Sequence, residues 1–307
     1  MTLLLPAAAR LGRQRLSAAV AARLGRGRSI AHGEPGRRAQ LLRHFPLAGE
    51  GWPIAALSRQ ADVGDAADAA WLRADPVWLR PDINGVRLMA HGEALALARE
   101  DADALLAALC PLFEEAGFAL DAPHPARWYL RLPADERLPV FSDPGDALGE
   151  DVFEHLDISP EARRWRTFAS EAQVTLHHHP LNARRAARGQ SPVNALWFWG
   201  GGRLPVDRAR HGRAGYSGDD TARALAAAGG QGAVLPERFE GRPGVYDLEG
   251  TRDLQWIERE WLVPALEALA AGRIDGLRLD DGDGWRLETR RADALRFWRG
   301  PLAWPAP

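Results

Sequence analysis

Lysine is absent from this chain: all 39 basic residues are arginine. A Schiff-base lysine, a P-loop lysine and a lysine general base are therefore excluded. Cysteine occurs once, at Cys110, which excludes an intrachain disulfide and any multi-cysteine metal site. There is no excess of charge of either sign, since 39 basic residues face 41 acidic ones for a net charge of −2. Nothing in that balance draws the chain toward nucleic acid, and no nucleic-acid-reading module is recognisable. No stretch approaches the roughly 18 uninterrupted apolar residues of a membrane-spanning helix. In the opening segment Arg10, Arg13 and Arg15 follow or interrupt the apolar residues, whereas a secretory signal places its charge first. An acid-free, arginine-rich opening also fits an organellar presequence or a membrane-surface helix. The reading adopted is a short strand followed by a packed helix, in a cytoplasmic protein without membrane association.

Hydrophobic residues make up 46% and charged residues 26% of 307, which is a globular composition with ample chain for a core. A single domain is expected, with a subdivision into a helical region 1–66 and an α/β region 67–307. The pattern predicts helices near 37–44, 101–116 (capped by Asp101), 161–178, 219–228 and 251–271, the last kinked at Pro264. Strands are predicted around 86–90, 127–132, 194–199, 245–248, 274–280 and 285–289, with 46–66 irregular. The last two strands flank Asp281-Gly282-Asp283-Gly284, a hairpin signature. Strands interleaved with helices predict an α/β or α+β fold with a mixed sheet flanked by helices.

Several motifs resemble chemistry and do not complete it. His177, His178 and His179 are consecutive, and helical neighbours point about 100° apart, so the three cannot converge on one ion. Asp280, Asp281 and Asp283 imitate a calcium loop, yet alignment puts Leu279 at the first ligand position and Arg290 at the last. Gly200, Gly201 and Gly202 follow a strand as phosphate loops do, but neither a helix start nor a Lys-Ser/Thr pair comes next. No metal site is expected.

The segment HHHPLNARRAARGQSPVNALWFWGGGRLP, residues 177–205, differs in kind. It sets Asn182, Arg184, Arg185, Arg188 and Asn194 in an expected loop between a helix and a buried strand. Guanidinium forks match phosphate and carboxylate oxygens, and Asn supplies a paired donor and acceptor. Two readings stay open on composition alone: an anion pocket, or capping asparagines beside solvated arginines.

The same segment is similar to a stretch of archaeal-type, cofactor-independent phosphoglycerate mutases, carried here by His179, Pro180, Asn182, Arg185, Gly189, Asn194, Trp197, Trp199, Gly200 and Gly202. A weaker likeness runs through Trp71 to Gly92. Those mutases belong to the alkaline phosphatase superfamily, and the resembling part is the domain inserted into their catalytic core. The whole chain more closely resembles a proteobacterial family called regulatory protein RpfE. That likeness is carried by WPIAALSRQ, DAADAAWLRADPVWL, RWYLRLP, EAQVTLHHHPLNARRAARG, VNALWFWGGG and LRFWRGP. The resemblance to the mutases implies two divalent metals on Asp and His ligands, since paired metals stabilise both oxygens in phosphoryl transfer. The chain departs from that pattern. Its opening MTLLLPAAAR lacks the acid, and no histidine follows His211.

These observations together lead to an expected regulatory protein that is related to the mutases, lacks their two-metal site and uses no cofactor. Its ligand would be a small anionic metabolite held by His179, Asn182, Arg184, Arg185, Arg188 and Asn194, with Gly200 and Gly202 leaving room beside it. Two alternatives accompany this reading. One is a metal-dependent mutase or phosphatase with an unfamiliar ligand set. The other is a protein-interaction scaffold whose 12 tryptophans include an exposed patch.

Overall fold

In chain order the elements of the computed structural model are β1 (Thr2–Leu5), α1 (Ala18–Gly25), β2 (Arg28–Ile30), α2 (Arg37–His44), α3 (Ile54–Asp62), β3 (Ala70–Asp82) and β4 (Gly85–His91). There follow α4 (Arg99–Glu114), β5 (Ala119–His124), β6 (Arg127–Leu132), α5 (Pro144–Ala147), α6 (Arg163–His177), α7 (Pro180–Ala187) and β7 (Ala195–Arg203). The chain closes with β8 (Ala214–Tyr216), α8 (Asp220–Gly229), β9 (Gln231–Ala233), β10 (Val245–Asp247), α9 (Leu254–Ile257), α10 (Val263–Ala270), β11 (Gly276–Asp281) and β12 (Arg286–Arg290). The structure describes residues 1–47, 51–83, 85–205 and 212–305. Two compact units divide the chain, Met1–Ala48 with Asp207–Pro307, and Gly49–Val206. Segment 1–66 is shared, giving β1, α1, β2 and α2 to the first unit and α3 to the second.

The first unit carries a seven-stranded sheet in the order β2-β12-β11-β1-β10-β8-β9. Strands β11, β1, β10, β8 and β9 pair in parallel, while β12 pairs antiparallel with both β11 and β2, so the sheet is mixed. Leu3, Leu4 and Leu5 of β1 are all buried, as a central parallel strand covered on both faces requires. Helix α1 starts where Ser17 accepts a hydrogen bond from the Val20 amide, and α8 where Asp219 accepts from Ala222. A π-helical turn, Glu258–Leu262, joins α9 to α10 just ahead of Pro264. It is the expected irregularity of the long helix in another form, since proline cannot donate to the helical ladder. The predicted hairpin forms between β11 and β12. Asp281 Oδ1 accepts from the amides of Asp283 and Trp285, and Trp304 Nε1 donates to Oδ2 at 2.8 Å.

The second unit is built on an antiparallel five-stranded sheet, β4-β3-β6-β5, with β7 paired along the free side of β3. Period-two alternation sorts its side chains. Ala70, Leu72, Leu130, Leu196 and Phe198 face α4 and α6, while Trp71 and Tyr129 pack with α3. Three sequence expectations are corrected here and one unassigned segment gains a strand. Residues 54–62 form α3 rather than an irregular stretch, and 70–82 form the long strand β3. Helix α4 begins at Arg99, placing Asp101 in its first turn and Ala98 at the cap. Residues 180–187 form α7 rather than a loop, because His179 accepts from the Leu181 amide and Pro180 occupies the first helical position.

Candidate functional site

In open α/β sheets, ligands bind in the crevice outside the carboxyl ends of the parallel strands. In the first unit that edge collects Leu5 of β1, Asp247 of β10, Asp280 and Asp281 of β11, and Ser217 just past β8. Helix α2 lies across it. Spacings of three, four and seven residues set Arg37, Gln40 and His44 on one helical face, and between them they reach the ends of β10, β1 and β11. Arg37 holds Asp247 in bidentate fashion, Nη1 to Oδ1 at 2.9 Å and Nη2 to Oδ2 at 2.5 Å. The fully buried Gln40 amide donates to the carbonyls of Leu5 at 3.0 Å and Asp280 at 2.7 Å. Arg43 binds both oxygens of Asp280, and His44 Nε2 meets its Oδ2 at 2.7 Å.

The electrostatics follow from that geometry. Burial pushes the Asp280 carboxyl up, but hydrogen bonds and charge from His44 and Arg43 outweigh it and hold the group below the ordinary carboxylate range. Asp247 is lowered likewise: burial raises it, while Arg37 and a 2.5 Å hydrogen bond from Ser217 Oγ pull it down further. Asp281 has hydrogen-bond donors but no guanidinium, so burial leaves it raised. The crevice thus holds anionic Asp247 and Asp280 whose oxygens are taken by guanidinium donors. Among the described residues, no group of three or more His, Cys, Asp or Glu side chains is placed to hold a metal ion. His211 lies outside the described residues.

The second unit holds the residues singled out from sequence, and most are committed to the backbone. Asn182 donates to the carbonyls of Leu176 and Val193 and accepts from the Val193 amide at 2.8 Å. Asn194 pairs both ways with Leu79 of β3, donating at 2.7 Å and accepting at 2.8 Å. Arg185 is 0% exposed, its Nε donating to Ser191 O at 2.8 Å and its Nη2 to Leu95 O, with Asp101 3.5 Å from Nη1. Arg184 and Arg188 lie one helical turn apart on α7 and its cap, both exposed. The three arginines therefore do not converge: one faces the core and two face water. Each consecutive histidine does something different. His179 caps α7, His178 Nδ1 meets Val174 O at 2.9 Å, and His177 is exposed.

The glycine run serves packing. Strand β7 continues through Gly200–Gly202, where Gly200 has φ +64° and a Cβ would lie 3.1 Å from Ile54 Cβ. At Gly202 a Cβ would lie 2.9 Å from Pro53 Cβ. The room expected beside an anion is filled by the start of α3. That contact belongs to a polar layer the sequence reading did not assemble. Arg73 pairs with Asp75 at 2.7 Å, both side chains buried, and its guanidinium lies over the rings of Tyr129 and Trp199. Asp75 also accepts from Trp199 Nε1 at 2.8 Å and the Trp128 amide at 3.0 Å. Arg59 of α3 stacks on Trp71 and binds Asp65 and Asp121. The motifs WPIAALSRQ, WLRADP, RWYLRLP and NALWFWGGG meet in this layer. Each of the charges named here is paired, so the layer fixes the unit's core.

No family model matches the chain. Over 75 residues, 24% of the chain, it is 33% identical to a protein of Geobacter sulfurreducens described as a probable 2,3-bisphosphoglycerate-independent phosphoglycerate mutase, covering 19% of that protein. Over 66 residues, 22% of the chain, it is 33% identical to the 2,3-bisphosphoglycerate-independent phosphoglycerate mutase of Methanothrix thermoacetophila, covering 17% of it. The matched stretch thus spans less than a fifth of these relatives' length. Among solved structures, PH0037 protein from Pyrococcus horikoshii superposes with a TM-score of 0.51 at 14% identity, over 94% of this chain and 86% of that one. The cofactor-independent phosphoglycerate mutase from Thermoplasma acidophilum gives a TM-score of 0.40 at 15% identity, over 94% and 89%. The sequence relationship to phosphoglycerate mutases covers about a fifth of the chain, whereas the fold shared with PH0037 runs through nearly all of it.

Proposed function

We propose that this protein is a phosphoglycerate-mutase-like chain that has given up two-metal phosphoryl transfer and works by binding, as a cytoplasmic regulator of the RpfE type. The observation that carries this reading is the closure of the strand-end carboxylates by arginine. Two-metal chemistry needs carboxylate lone pairs directed at the ions. Here Arg37 and Arg43, both on α2, occupy those of Asp247 and Asp280. The guanidiniums supply the countercharge that a cation would otherwise supply.

The ligand under this reading is a small anionic metabolite, with 3-phosphoglycerate the first to test. Support for an anion comes from Arg184 and Arg188, exposed on one face of α7 with no side-chain partner among the described residues. Thermal unfolding with 3-phosphoglycerate, with and without Mn²⁺, tests it. A ligand at 100 times its Kd adds about 2.7 kcal/mol of stability. The expected result is a rise that needs no metal and disappears in the Arg184→Ala/Arg188→Ala double variant. A rise that requires Mn²⁺, accompanied by turnover to 2-phosphoglycerate, would overturn the non-catalytic reading.

One observation favours the scaffold alternative. Leu295, Phe297 and Trp298 of the LRFWRGP motif are 74%, 79% and 71% exposed, and apolar residues so grouped on a surface mark a site of contact. Partner capture that survives Arg184→Ala/Arg188→Ala but not Trp298→Ala would support it.

A further inference from the structure

The second unit contains a cavity of about 230 Å3 between α6 and the β7 side of the sheet, roofed by segment 141–157. Its walls are the rings of Phe141, Trp165, Trp197 and Phe198, and small residues, Ala169 and Ala195, leave the space between them. Phe153 and Leu156 also line it and remain 63% and 38% exposed, so apolar surface at the mouth faces water. The ionic groups at the rim make hydrogen bonds within the protein, Asp157 Oδ1 accepting from the Ser159 amide at 2.8 Å. Arg166 donates to the carbonyls of Asp157 and Ser159, and His155 meets Glu150 at 2.8 Å. Trp197 Nε1 is spent on Ser142 O at 2.9 Å. Gln173 differs: it lines the cavity at its exposed edge and has no hydrogen-bond partner among the described residues.

Each feature restricts the occupant. Apolar walls exclude a sugar phosphate, whose hydroxyls and charges would lose water without replacement. Arg166 and Asp157 bring opposite charges to the rim, so it presents no net charge to a charged ligand. Flat aromatic walls favour a planar ring, in offset or edge contact. An apolar cavity of about 150 Å3 takes up benzene, so this larger space holds two fused rings. We propose that the cavity is a binding site for a small, neutral, fused-ring aromatic molecule bearing one hydrogen-bonding group, which Gln173 receives. This site is separate from the strand-end crevice of the first unit and from the arginines of α7, and does not depend on either.

Calorimetric titration of the full chain with 2-naphthol tests the proposal, with 1-octanol and 2-naphthoate as comparators. The expected result is saturable binding of one 2-naphthol per chain, at least tenfold tighter than either comparator. Filling the space should weaken it at least tenfold in both Ala169→Phe and Ser170→Phe. Ser170 lies on the exposed side of α6, so the second variant keeps the test intact should the first not fold. Gln173→Leu should weaken 2-naphthol but not naphthalene. Absence of saturable binding, equal affinity for 1-octanol or 2-naphthoate, or full affinity in a folded Ser170→Phe would each overturn the proposal.

Discussion

Arg43 grips both carboxylate oxygens of Asp280, Nε to Oδ2 at 3.0 Å and Nη2 to Oδ1 at 2.6 Å, where β11 ends beneath α2. Asp280 is 1% exposed, so its charge depends on that guanidinium. Removing one partner of a buried pair costs about 3–5 kcal/mol, whereas replacing both with apolar groups is often neutral. Arg43→Leu is expected to lose stability in that range, and Arg43→Leu/Asp280→Leu to regain most of it. A double-mutant cycle by urea unfolding checks this, and simple additivity would contradict it.

Acid should weaken the same edge. Asp247 and Asp280 are both held below the ordinary carboxylate value of about 3.9. A depressed group stabilises the fold above its unfolded value and loses that contribution as pH falls through the folded one. Unfolding free energy is therefore expected to drop below about pH 4. In Asp280→Asn the slope should be shallower, at the cost of lower stability at neutral pH. An unchanged slope would show that Asp280 does not carry the effect.

Asn194 is expected to act as a strand clasp. Its side chain pairs with both the amide and the carbonyl of Leu79, and leaving a buried backbone group unpaired costs about 1–3 kcal/mol. Asn194→Ala should destabilise by about 2 kcal/mol or more. Asn194→Asp should lose the donor and keep the acceptor, falling between. Equilibrium denaturation reads the order wild type, Asp, Ala.

The two kinds of arginine on α7 should separate by experiment. Arg185→Lys cannot reach Ser191 O and Leu95 O together and should cost roughly 2–3 kcal/mol. Arg184→Ala and Arg188→Ala lie on the surface and should stay within about 0.5 kcal/mol. Only the surface pair should remove an anion-induced rise in unfolding temperature. Loss of that rise in Arg185→Lys alone would contradict the assignment.

Local signals in the sequence reached the mixed α/β fold, the DGDG hairpin and helices such as α2 and α8, because caps, turns and periodicity announce them. Helix α7 was hidden by the histidines before it and by its own arginines, which read as loop chemistry although His179-Pro180 is a helix start. Strand β3 was hidden because Arg73 and Asp75 interrupt its apolar pattern, and only the fold shows that they neutralise each other. The strand-end crevice was out of reach for a different reason. Arg37 and Asp247 are 210 residues apart, and no spacing rule joins them. The aspartates of DGDG were readable as a turn, but the pairing of Asp280 with Arg43 and His44 depends on which strands α2 crosses.

Metal content and turnover measured together test the central claim most directly. The purified chain would be dialysed against excess Mn²⁺, freed of unbound ion, and assayed for bound metal and for interconversion of 3- and 2-phosphoglycerate. Closure of Asp247 and Asp280 by arginine predicts no stoichiometric Mn²⁺ and no turnover. Two Mn²⁺ per chain with turnover, abolished by Asp247→Asn, would contradict it.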